Sequence, residues 1–145
     1  MDRRGMLFAM GATTVAASAL QGVSQEMPMP HHHMGGAKNQ ALIDTAARCS
    51  SAAELCTSHC IEMIIAGDKT MAACAAGSRE VAVVCNGLRA LAALDSAHLK
   101  MYAKVAEESC KSCAAECQMH AANNAVCKNC ADACTACAAE CGKLA

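Results

Sequence analysis

The segment CKNCADACTACAAEC, residues 127–141, places a cysteine at every third or fourth position, and no Leu, Ile, Val, Phe or Met falls between Cys127 and Lys143. At about 100° per residue, Cys127, Cys130, Cys134, Cys137 and Cys141 lie within an arc of about 80° on one helix face, the a and d seam of a heptad. The whole chain has 13 cysteines in 145 residues. Thiols at this density have three chemistries open to them: disulfide cross-linking, nucleophilic catalysis and ligation of soft metal ions.

Disulfides are disfavoured by the odd count and by the placement of most cysteines in series along single helices. A bridge within a straight helix demands a dihedral its side chains do not present, and closes only a tiny loop. Catalysis could use Cys56 with His59, three residues on. No third orienting group or oxyanion donor is identifiable, however, and Cys56 has too many equivalent companions to be singled out, so the chain reads as no enzyme. A metal store remains.

Thiolates select Cu(I), zinc and iron–sulfur clusters. If each Cu(I) takes two thiolates and each thiolate bridges two ions, metal and sulfur match about one to one and the buried core stays near neutral. Zinc in closed four-thiolate sites would leave excess negative charge inside, and a continuous row of thirteen is not expected to divide into tetrahedral sets. Iron–sulfur clusters use loop-borne C-x₂-C-x₂-C runs, whereas C-x₂-C-x₃-C on a helix offers a line of ligands. The expectation is many Cu(I) ions per chain, of the order of one per cysteine. The alternative is an iron–sulfur electron-transfer protein, which would be brown where Cu(I)–thiolate is colourless.

The elements that must carry these ligands are helices. Alanine is abundant and aromatics are limited to Phe8 and Tyr102, so an ordinary hydrocarbon core is missing although 54% of residues are hydrophobic. Four helical segments are expected. The first runs from about Ala37 to Ala66, stopped by Gly67. The second, capped by Asp68 or Thr70, reaches about Leu94. The third, capped by Asp95-Ser96, reaches about Ala122. The fourth follows Asn123-Asn124 and ends at Gly142. Short connections make consecutive helices antiparallel, giving an all-α, up-down-up-down four-helix bundle over residues 37–145.

Each helix of that bundle turns a sulfur stripe inward. Cys49, Cys56 and Cys60 share one arc of the first helix, Cys74 and Cys85 align on the second, and Cys110, Cys113 and Cys117 repeat the 3-4 spacing on the third. Met63 and Met71 should face inward where the first two helices connect, with His59 at the edge of the stripe and His120 at the corresponding end of the third helix. Leu42, Leu88, Leu99, Ala92 and Ala103 form an apolar plug at the opposite end. Metal is therefore expected to pass in at the Met/His end.

Residues 1–22 read as an export signal: a basic start, an apolar stretch from Met6 to about Leu20, small residues at Ala17-Ser18-Ala19, and Arg3-Arg4 in the twin-arginine manner. Delivery of a finished fold to the periplasm would carry thiols into an oxidising compartment already shielded. Residues 23–36, with His31, His32, His33, Met29 and Met34, read as a flexible lead-in. Without residues 1–22 the chain keeps ten basic and twelve acidic side chains, so no basic face invites nucleic acid, and no later segment reads as a membrane span.

An export signal, four helices and thirteen cysteines in CxxC and CxxxC series resemble the exported bacterial copper storage proteins. The resemblance covers about residues 37–145. It implies a cysteine-lined bundle holding many Cu(I) ions, association as a homotetramer, and exchange with a copper chaperone or a recipient cuproenzyme. Its implied ligands are Cys49, Cys56, Cys60, Cys74, Cys85, Cys110, Cys113, Cys117, Cys127, Cys130, Cys134, Cys137 and Cys141, with His59, Met63 and Met71 at the mouth. One further mouth methionine of the family pattern is replaced here by Ala66.

Overall fold

The computed structural model describes residues 38–144. The expected export signal (1–22), the His/Met-rich lead-in (23–36) and the expected first helical residue, Ala37, lie outside the described residues. Within them the chain forms α1 (Gln40–Ile65), α2 (Ala72–Ala93), α3 (Leu99–His120) and α4 (Ala125–Gly142), with a short 3₁₀ turn at Lys69–Met71 ahead of α2. There is no strand among the described residues. Each helix packs on two neighbours, α1 on α2 and α4, and α3 on α2 and α4. With connections this short the order is up-down-up-down.

Each turn has a local chemical cause. Gly67, at φ 106°, ends α1 in the left-handed region that glycine enters without penalty. Its N–H donates to the Ile64 carbonyl, and the Asp68 N–H donates to that of Met63. Asp68 Oδ1 then accepts from the Thr70 N–H at 3.0 Å, capping the 3₁₀ turn. Helix α4 starts at Asn124, whose Oδ1 accepts from the N–H groups of Val126 and Cys127 at 3.0 and 3.2 Å.

The second connection departs from expectation. Asp95-Ser96 does not begin the third helix; Asp95 finishes α2, in the same closure that Gly67 makes for α1. Its φ is 45°, and the Ser96 N–H donates back to the Leu91 carbonyl. Ser96 Oγ accepts from the His98 N–H, and α3 begins only at Leu99. Asp95 is held in the left-handed form at the surface, where Asn39 Nδ2 and Lys38 Nζ donate to its carboxylate at 3.3 and 3.5 Å. An aspartate tolerates this conformation better than most residues but not freely.

At the end holding the α2–α3 turn, Leu42, Leu88, Ala92, Leu99 and Ala103 are all buried and close the bundle with hydrocarbon, as expected. Tyr102 of α3 lies over Gly87 of α2: a Cβ there would stand 3.0 Å from the ring Cζ and still nearer the hydroxyl, so any larger residue would make the ring shift. Between α1 and α2 the buried hydroxyl of Ser78 meets that of Thr57 at 2.8 Å. No buried side-chain nitrogen or oxygen among the described residues lacks a partner.

Asp95→Gly should stabilise the metal-free bundle by about 0.5–1 kcal/mol, because relief of the left-handed strain outweighs a surface ion pair of small value. Chemical denaturation monitored by circular dichroism checks this; equal or lower stability would contradict it.

Candidate metal centre

All thirteen cysteines are free thiols, and each is at most 1% exposed. The heptad spacing explains the placement: residues three and four apart on one helix share a face, and that face is the inward one on all four helices. Alanine supplies most of the remaining contacts, including Ala46, Ala53, Ala106 and Ala131. Small side chains draw the helices close, and the sulfurs meet.

From the α1–α2 turn inward, Cys56 Sγ lies 3.9 Å from Cys60 and 3.7 Å from Cys74. Cys117 is 3.3 Å from Cys74 and 3.8 Å from Cys56. The path continues through Cys113, 3.9 Å from Cys117 and 4.0 Å from Cys130. Farther in, Cys49 is 3.6 Å from Cys134 and 3.9 Å from Cys110, while Cys85 stands 3.7 Å from Cys110 and 3.8 Å from Cys137. Cys141 adjoins Cys137 at the plugged end. The result is a sulfur column rather than separate pairs.

As expected, the row of thirteen does not divide into tetrahedral sets, but it does contain compact, overlapping groups. Two have four thiols, Cys49–Cys85–Cys110–Cys137 and Cys56–Cys60–Cys74–Cys127, and two have three, Cys56–Cys117–Cys130 and Cys113–Cys130–Cys134, each with sulfurs within 4.8 Å of one another. Cys56 and Cys130 are each in two groups and Cys141 is in none. Spacing along one helix fixes which face a thiol occupies but not its height relative to thiols on other helices. The first group takes one cysteine from each helix. Ligand geometry alone therefore does not exclude a tetrahedral ion, and the choice of metal has to rest on charge.

Met71 is buried, and Met63 is half-buried against the core, both at the end where α1 meets α2. His59, half-buried, reaches from α1 to the start of α4, where Asn124 Nδ2 donates to its Nε2. His120 is half-buried at the same end, near Asp68. The sequence offered Asn124 only as a residue ahead of a helix. An asparagine at that point signals a cap, but nothing in the sequence pairs it with a histidine 65 positions away.

Nine of the thirteen thiols are set against ionisation. Burial, aided by the contact with Cys74, pushes Cys60 up to about 12, and burial raises Cys127. S–H···S hydrogen bonding raises others, led by Cys110 for Cys49, by Cys117 for Cys56 and by Cys137 for Cys141. The four thiols that accept such bonds, Cys74 from Cys117, Cys110 from Cys134, Cys130 from Cys113 and Cys137 from Cys110, are moved down and would ionise first. No buried lysine, arginine or histidine stands among the described residues to stabilise a thiolate; their buried polar side chains are Thr45, Ser50 and Ser78.

The profile of the copper storage protein family, Csp, matches residues 36–145. Two solved structures resemble the chain. Apo-Csp3, copper storage protein 3 from Bacillus subtilis, is 26% identical with a TM-score of 0.65, covering 73% of this chain and 97% of that one. The Cu(I)-bound copper storage protein BsCsp3 is 27% identical with a TM-score of 0.68, covering 74% and 97%. No curated protein matches the chain.

Because the folded form holds the Cys60 proton more tightly than the ordinary value of 9.0, the stability this contributes is complete below pH 9 and is lost as pH rises toward about 12. The Cys60 contribution should thus lower the melting temperature of metal-free protein as pH rises from 9 toward about 12. Thermal melts across that range check it; a rise under alkali would show thiolates favoured by the fold.

Proposed function

Since the chain belongs to the copper storage protein family, we propose that it is a copper store, holding many Cu(I) ions on the thiolates inside its four-helix bundle for supply to copper proteins or for detoxification. The observation that carries this reading is the continuous column of thirteen buried thiols. Charge selects the ion. A four-thiolate group closed on a divalent ion would leave two net negative charges in a core without buried cations, a costly arrangement. When Cu(I) replaces a thiol proton, charge is unchanged, and soft sulfur is the ligand that the cuprous ion prefers. Neither compact group of four gives an iron–sulfur alternative any support beyond its sulfur count, and the family is one of copper storage.

Uptake proceeds by exchange. An ion arrives at the Met/His end, where Met63, Met71 and His59 offer thioether and imidazole ligands softer or more open than water. It passes to Cys60, Cys74, Cys56 and Cys127, each thiol giving up its proton as the metal binds. Further ions move along the column by thiolate exchange over neighbouring sulfurs 3.3–4.0 Å apart. The apolar plug closes the far end, so release uses the same mouth. Each ion that bridges two helices fastens them together.

The remaining parts of the reading rest on sequence. Arg3-Arg4 and the apolar stretch after them support export of the folded chain to the periplasm by a twin-arginine route. No helix among the described residues is long and apolar enough to cross a membrane. Association as a homotetramer, and exchange with a copper chaperone or recipient cuproenzyme, follow the family resemblance. Storage calls for no turnover, so no catalytic residue is assigned.

Anaerobic titration of reduced protein with Cu(I), read by elemental analysis, should reach of the order of thirteen ions per chain, one per cysteine. Loading should also raise the melting temperature, since the ions bind the folded state. Saturation at one or two ions would contradict the reading.

A further inference from the structure

The Asn124 side chain does two jobs at once. Its Oδ1 accepts from the N–H groups of Val126 and Cys127 at 3.0 and 3.2 Å, as the cap of α4 requires. That cap fixes the orientation of the amide, because a flipped side chain would aim N–H at N–H. The nitrogen, Nδ2, is thereby forced toward α1, where it meets Nε2 of His59. Since Nδ2 can only donate, His59 Nε2 must accept, and the ring proton sits on Nδ1.

A metal ion binds imidazole through a lone pair, and in this tautomer the only lone pair is at Nε2, under the amide. Ligation through Nε2 displaces Asn124. Ligation through Nδ1 moves the proton to Nε2, where it would face the amide donor head-on. Either route breaks the same hydrogen bond. The cap bonds to Val126 and Cys127 involve the other atom of the amide, so breaking it leaves α4 intact.

We propose that Asn124 is a positioning residue that latches His59 away from incoming metal, so that loading the mouth requires exchange of the Asn124–His59 hydrogen bond for a His59–metal bond. This rests on the reading of His59 as a mouth ligand for Cu(I). The latch sits where it can sense loading: Asn124 bonds directly to the backbone of Cys127, and Cys127 shares a four-thiol group with Cys56 and Cys60, the residues flanking His59 on α1. The amide thus ties the α1 and α4 sides of the mouth together in the metal-free protein and lets go of one as copper arrives.

The test uses full-length protein and Asn124→Ser, because serine caps a helix as well as asparagine but has no second polar atom to reach His59. Cu(I) affinity of the outermost site, measured by competition with a chromophoric Cu(I) chelator, should tighten about two- to ten-fold in Asn124→Ser, the worth of one hydrogen bond. Total capacity should hold, while the melting temperature of the metal-free protein should fall by about a few degrees, because the same hydrogen bond ties α1 to α4. The gain should vanish when His59→Ala is also present. Nitrogen-15 shifts of labelled histidine should show an accepting Nε2 in the metal-free parent and its loss in Asn124→Ser. If His59→Ala weakens binding while Asn124→Ser leaves affinity unchanged, His59 is a ligand and the latch is wrong. If His59→Ala itself has no effect on binding, the ligand reading fails and the latch with it.

Discussion

Thirteen thiols packed into one buried column must remain close to electrically neutral, and the rest of the structure follows from that requirement. No buried cation stands beside the sulfurs among the described residues, so free thiolates would face the full cost of burial. Protonated thiols satisfy the constraint in the empty protein, and monovalent soft ions satisfy it in the loaded one. The fold can therefore exchange protons for metal across its whole core without a change in buried charge. A divalent cargo would meet thiol groups of suitable size but would load the interior with negative charge.

Neutrality also explains how so small a hydrocarbon core can serve. Buried leucine is concentrated at the plugged end, as Leu42, Leu88 and Leu99, while the sulfur-lined length relies on alanine and cysteine with Val81 among them. Weak S–H···S contacts and close helix approach hold this part without metal, and metal bridges hold it afterwards. The two ends are chemically unlike for the same reason: hydrocarbon seals one, and sulfur, imidazole and amide groups line the other. Directional filling needs such an asymmetry.

Much of this was legible in the chain itself, because helix periodicity is a local property. Cysteines at helical intervals, three and four residues in α3 and α4, seven and four in α1 and eleven in α2, named the buried face of each helix, and Gly67, Asn124 and Gly142 marked ends that the structure places nearly where expected. Asp95 was misread because a residue followed by serine between two helices can close the first or open the second, and only the backbone at φ 45° decides. The grouping of thiols across the bundle was hidden, since the vertical register of four helices depends on their turns and packing, not on spacing within any one. The hydrogen bond from Asn124 to His59 was hidden for the same reason: it joins positions that come together only once α1 and α4 are side by side.

The central claim is that uptake exchanges one proton for one monovalent ion. Proton release measured at constant neutral pH, as reduced, metal-free protein is loaded anaerobically with Cu(I), tests it most directly. About one proton should appear for each ion bound until the thiols are filled. Release close to zero would mean the column is already ionised before metal arrives, and the account built on a neutral core would fail.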